Sequence, residues 1–298
     1  MSVSERNAPF AADGDARGAV RRGAPHRFGT IVVVGGGCYG SYYLRQLTRA
    51  RDAGAVEYDR VLVVDRDPDC RVARASRAAA AGIPVEEIAG ATSWRVPAHH
   101  FSAVELAIAS WEDFLPAFFD AVAADPARHA IDAVVPSPLM PHLTRDWLVA
   151  RARRLWPDRT VRCPPLDVAP PTPWQRASAD GDTHYASFAE WMCPINCVEP
   201  RRCPETRGER TWSMPVAARE WVAGAAARGR PIVGPLLFHC EHRAYGVGMF
   251  DASAAADAAR ALDDALAAAG TGGTVRALVA SVSHCHGAWS VVEVGPGA

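Results

Sequence analysis

Lysine is absent from this 298-residue chain: all 32 of its basic side chains are arginine. That absence excludes a lysine Schiff base, a lysine general base and the lysine of a phosphate-binding P-loop. Excess charge is missing too, the net value being -1 at pH 7. No field of one sign then favours nucleic acid or an anionic membrane, and neither is expected as a partner. Long hydrophobic runs are also lacking, with no stretch of 18 apolar residues. The start, "MSVSERNAPFAADGDARGAVRRGAPHRFG", has no continuous apolar segment of the kind a signal peptide needs. These absences predict a cytoplasmic protein whose eight cysteines are thiols or metal ligands rather than a disulfide framework. Residues 1–28, rich in Gly, Ala, Arg and Pro, read as a disordered leader.

What is present is substantial apolar content, 49% of residues, enough for two modest cores. In "TIVVVGGGCYGSYYLRQLTRA" a β-branched strand, Ile31 to Val34, runs straight into glycines and then an amphipathic helix carrying Tyr43, Leu44 and Leu47. Gly35, Gly37 and Gly40 fit G-x-G-x-x-G at a strand-to-helix turn, flanked by Cys38 and Tyr39. In that motif the first glycine turns the chain, the second lets backbone approach a pyrophosphate, and the third packs helix on strand. A second buried strand, "RVLVVD", ends in Asp65, where an acid commonly holds a ribose. Asp65 favours NAD, while Arg66 and Arg71 keep NADP open; FAD or S-adenosylmethionine would use the same geometry.

Alternation continues with a helix near 69–82, strand 103–109, helix 111–124, strand 131–135 and helix 143–155. It predicts an α/β fold with a doubly wound parallel sheet over residues 29–158. This stretch resembles the Rossmann-fold NAD(P)-binding superfamily, and is similar to the nucleotide-binding domains of potassium-transport regulators and of dehydrogenases. The resemblance implies a dinucleotide at Gly35, Gly37, Gly40 and Asp65. After the fourth strand, "VVPSPLMPHLTRDW" places Ser137, His142 and Asp146 at the ligand-binding edge; the plainer reading is a proline-punctuated turn with Thr144 as helix cap.

Proline density over 159–183 predicts an extended linker without regular elements. Residues 184–298 then read as a smaller α+β, Cys/His-rich domain, with a helix from Ser253 to Ala269 capped by Ser253. Cys193, Cys197 and Cys203 form C-x3-C-x5-C with proline after the first and third, a spacing unlike the paired C-x2-C knuckles of zinc ribbons. The trailing prolines suggest an iron-sulfur cluster, with Cys240 as fourth ligand and Cys285 in reserve; zinc and metal-free redox thiols are the alternatives. His239, His242, His284 and His286 flank those two cysteines. Arginines 201, 202, 207 and 210 interleave with the thiols and are read either as clamps for an anionic group or as a solvated basic face.

The expected function is an NAD(P)-dependent oxidoreductase coupling a nicotinamide to an iron-sulfur or metal centre, with His142, His239 and His284 as candidate catalytic groups. A small-molecule substrate or redox partner, and a possible homo-oligomer, complete it. Two alternatives stay open: a regulatory protein that senses NAD(H) or metal, and a metal-handling or cofactor-assembly protein.

Overall fold

A computed structural model describes residues 26–83, 85–89, 92–96, 100–101, 104–190, 193 and 197–297, with 85–89 and 92–96 described by backbone alone. The expected leader lies outside these residues up to position 25. The chain runs β1 (His26–Val34), α1 (Cys38–Asp52), β2 (Val56–Asp65), α2 (Arg71–Ala80), a hairpin of β3 (Val85–Ala89) and β4 (Thr92–Val96), β5 (Val104–Ile108), α3 (Trp111–Ala124), β6 (Ala133–Val135) and α4 (Leu143–Leu155). It continues through β7 (Arg159–Arg162), β8 (Trp174–Ala177), β9 (His184–Ser187), α5 (Met214–Ala227), β10 (Val233–His239), β11 (Glu241–Ala244), β12 (Val247–Asp251), α6 (Ser253–Ala269), β13 (Val275–Val282) and β14 (His286–Gly297).

The architecture is mixed α/β with two large mixed sheets. In the first, β5, β2, β1 and β6 lie side by side and parallel, with the apolar runs Ile31–Val34 of β1 and Ala133–Val135 of β6 buried on both faces. The purely parallel, doubly wound sheet expected from the alternation is corrected at the open edge of β6. There β12 pairs antiparallel, followed by β11, so the order is β11-β12-β6-β1-β2-β5. The physical reason is local. A tight turn at Tyr245 and Gly246, both with positive φ, folds β11 and β12 into a hairpin. Its buried Met249 and Phe250 then cover an edge strand that would otherwise stand unpaired.

The second sheet has the order β10-β13-β14-β9-β8, with β7 also on β14; only β10 and β13 run parallel. Strands β7 and β8 fall inside the stretch expected to be a structureless linker; its proline-rich middle, residues 163–173, and its end, residues 178–183, are without strand or helix. Because β11 and β12 come from the C-terminal half, the expected division at 159–183 does not separate the two sheets. One core cluster spans both, joining Val32, Val64 and Val134 of the first to Val275, Val279 and Val292 of the second through Phe119, Trp147, Phe238 and Leu262. The cap residues differ as well: α4 starts after His142 and α6 after Ala252, which leaves Thr144 and Ser253 inside their helices.

Candidate functional site

The glycine loop forms at the C-terminal end of β1. Gly35 has φ +95, a left-handed conformation that favours glycine, and its amide bonds Val64 O. A Cβ at Gly40 would overlap the Gly35 carbonyl oxygen, so this position is closed to any larger residue by the approach of α1 to β1. Gly37 differs from both: its φ is ordinary, it is exposed, and a Cβ there would meet nothing within 4 Å. Helix α1 begins directly after it, with no capping side chain and no acidic residue in its first turn. The positive end of this helix thus has no capping or acidic side chain of its own first turn, and Cys38 beside it is exposed. Asp65 braces this loop, its carboxylate accepting from the amides of Gly36 at 2.6 Å and Asp67 at 2.9 Å. Arg66 next to it is exposed.

On the other side of a cleft of about 150 Å³ stand the thiols. Tyr39 and Tyr43 of α1 and Ser137 after β6 line this cleft together with Cys193, Cys197, Glu199, Cys240, His242 and His286. The second group comes from three places: the loop after β9, the β10–β11–β12 segment, and the start of β14. Glu199 is central. Its side chain is only 6% exposed and its backbone has φ +50, a strained conformation for a non-glycine residue that costs about 1–3 kcal/mol. One carboxylate oxygen accepts the Cys285 amide at 3.3 Å, and the other faces His242 Nε2 at 3.9 Å. His242 Nδ1 lies 2.9 Å from Gly246 O, and because a carbonyl only accepts, the ring proton sits on Nδ1. Cys193 Sγ lies 4.0 Å from His286 Nδ1.

The electrostatics follow from these contacts. The Cys193 thiol donates to Cys197, which lowers the Cys197 pKa to about 6 against the opposing effect of burial; the Glu199 amide assists. Cys193 is correspondingly pushed up, so the pair reads as one thiol and one thiolate. Burial would raise the Glu199 carboxyl, but His242, the Ser283 hydroxyl, His284 and His286 together hold it below the usual carboxylate range. Burial lowers the pKa of His286, with Glu199 opposing it. Burial and Glu199 push the Cys240 thiol up to about 12. Among the described residues lining the cleft there is no arginine, so the charge of Glu199 is balanced by histidines rather than by a permanent cation.

Several expected site residues stand elsewhere. His142 precedes α4, 3.8 Å from Asp146, and is not among the residues lining the cleft. His239 and His284 pack ring to ring at 4.7 Å behind it, brought together by the parallel pairing of β10 with β13. Burial, then His284, lowers His239 to about 4. Cys203 is buried in its own turn, its amide bonded to Gly208 O. Burial opposes ionisation of Cys203, yet donors from Thr206 and Glu205 lower its pKa. Cys285 is buried, and burial and Glu199 raise it to about 12. Cys193 and Cys197 thus meet Cys240 at the cleft, whereas Cys203 and Cys285 do not line it. Among the described residues, no group of three or more His, Cys, Asp or Glu side chains stands as arranged in a geometry that would hold a metal ion. Glu199 is the residue the sequence did not announce: between Cys197 and Pro200, nothing in its neighbours signals a buried carboxylate on left-handed backbone.

A family model described as "Uncharacterized protein, C-terminal domain" matches residues 144–295, just over half of the chain. No curated protein and no solved structure matches it.

Proposed function

We infer, for a chain that belongs to this C-terminal-domain family (AF_1314_C), an NAD(P)-dependent oxidoreductase in which the nicotinamide meets its redox partner at the thiol-rich side of the cleft. The observation that carries the reading is the shared cleft: residues of the helix that follows the glycine loop, Tyr39 and Tyr43, face Cys193, Cys197, Glu199 and His286 across it. The matched region supplies every one of those partner residues, and the glycine loop lies before it. In support of a dinucleotide, four parallel strands place the loop at their C-terminal ends, the edge at which open α/β sheets bind ligands. Gly37 adds that neither backbone angle nor packing calls for a glycine, while a close-approaching phosphate would.

A reducing nicotinamide delivers hydride, and the residues that receive or return the accompanying proton must lie in the same cleft; the Cys193–Cys197 pair already shares one. With Glu199 the sole carboxylate among the described lining residues and no arginine among them, the cleft favours a neutral substrate over a carboxylate or phosphate. An iron-sulfur cluster or a metal ion at the thiols remains part of this reading.

The test is a titration of the purified chain with NADH and NADPH, followed by nicotinamide fluorescence, together with the alkylation rate of Cys197 measured by mass spectrometry. One saturable site per chain and slower alkylation in the presence of nucleotide are expected. Absence of binding by either dinucleotide refutes the reading. Binding that leaves Cys197 reactivity unchanged refutes the coupling.

A further inference from the structure

We propose that the cleft holds a single divalent metal ion of the zinc class, bound by the thiolates of Cys193 and Cys197 and the imidazoles of His242 and His286, with Glu199 as its anionic neighbour. The proposal rests on the reading above for its role beside a nicotinamide, but metal binding itself does not require that NAD(P) binds.

The argument is geometric. His242 turns Nε2 toward a carboxylate oxygen of Glu199 at 3.9 Å, its Nδ1 being committed to Gly246 O. Nε2 is therefore the ring nitrogen available to an ion entering the cleft, and the Glu199 carboxylate beside it would add to the attraction for a cation. On the same cleft Cys193 Sγ faces His286 Nδ1 at 4.0 Å. With metal–sulfur bonds of about 2.3 Å and metal–nitrogen bonds of about 2.0 Å, a tetrahedral ion separates such a sulfur and nitrogen by ~3.5 Å. The facing pair is therefore wider by about half an ångström, and among the described residues no three donors enclose an ion as they stand. Closing that gap takes side-chain movement of less than an ångström. Both cysteines would bind as thiolates and release whatever protons they hold on metal uptake.

Donor chemistry selects the ion. Two sulfurs and two nitrogens in a tetrahedral arrangement suit zinc, and oxygen-preferring magnesium or calcium would gain little. A four-iron cluster is disfavoured by the same placement, since Cys203 keeps its sulfur in a separate turn away from the cleft lining. When bound, the ion would supply a Lewis acid for a neutral substrate oxygen.

The full chain, stripped with chelator, would be titrated with zinc and with cobalt. One equivalent per chain and the intense visible bands of tetrahedral thiolate-bound cobalt are expected. Cys193→Ser and Cys197→Ser should each abolish them, Glu199→Gln should weaken binding about 10- to 100-fold, and Cys203→Ser and Cys70→Ser should leave it intact. Because a variant can fail to fold, alkylation of the wild-type chain provides a second measure. Metal should protect Cys193 and Cys197 while exposed Cys38 stays reactive. Failure to bind metal, a cobalt signal that survives loss of either thiol, equal labelling with and without metal, or iron accompanied by sulfide would each overturn the proposal. NADH fluorescence on the same stripped sample reports separately on the nucleotide.

Discussion

Three glycines of one motif differ in what holds them. Gly35 is fixed by its dihedral angle and Gly40 by the carbonyl it would strike, while Gly37 is constrained by nothing inside the chain. Gly40→Ala should therefore lower stability by about 1–3 kcal/mol, the usual cost of overpacking, seen as an earlier thermal midpoint. Gly37→Val should melt close to wild type and still lose NAD(H) affinity, because its side chain would occupy the space where a pyrophosphate approaches α1. A folded Gly37→Val protein that binds NADH as well as wild type, by calorimetry, would show that the loop serves packing alone. The motif's spacing was legible in the sequence because it depends on neighbours in the chain. Glu199 was not, because its burial arises from Cys285, Ser283 and His242, up to 86 residues away.

At the scale of elements, the parallel pairing of β10 with β13 sets the histidines behind the cleft. It carries His239 against His284, and burial then disfavours protonation of both rings. His239 falls from an ordinary value near 6.5 to about 4. Its pKa is depressed in the folded state, so the unfolded chain binds the proton first as pH drops. The stability this ring contributes is present above pH 6.5 and is lost progressively down to about pH 4. Denaturant midpoints measured across that window should fall with acidification, and His239→Gln should flatten the slope. An unchanged slope in the variant would show that His239 is protonated in the fold. Helices α3, α4 and α6 and strand β2 were readable from period and apolar content alone. Strands β7 and β8 were not, since each is four residues long and gains its pairing only from β14 and β9.

For the whole molecule, the decisive feature is the hairpin that leaves the second sheet and joins the first. A sequence read in chain order assigns β11 and β12 to the segment that surrounds them, because periodicity carries no information about which sheet a strand will enter. The structure sends them to β6, whose three residues are paired by β1 on one side and β12 on the other. A fragment ending near residue 158 would expose the apolar edge of β6 and strip the helices α3 and α4 of α6, against which the shared core packs. Phe119 touches Trp147, Phe238 and Phe250 with ring centroids 5.1 to 6.3 Å apart, so one aromatic cluster draws on both halves. Residues in one contiguous core unfold together. The full chain should therefore show a single calorimetric transition with matching van't Hoff and calorimetric enthalpies, and the isolated fragment should fail to give a cooperative melt. Phe238→Ala, at the junction, should cost about 3–5 kcal/mol and lower that one midpoint as a whole. Two separable transitions, with only the later-melting one shifted by Phe238→Ala, would mean that the halves fold as independent units and that the cleft between them forms only by docking.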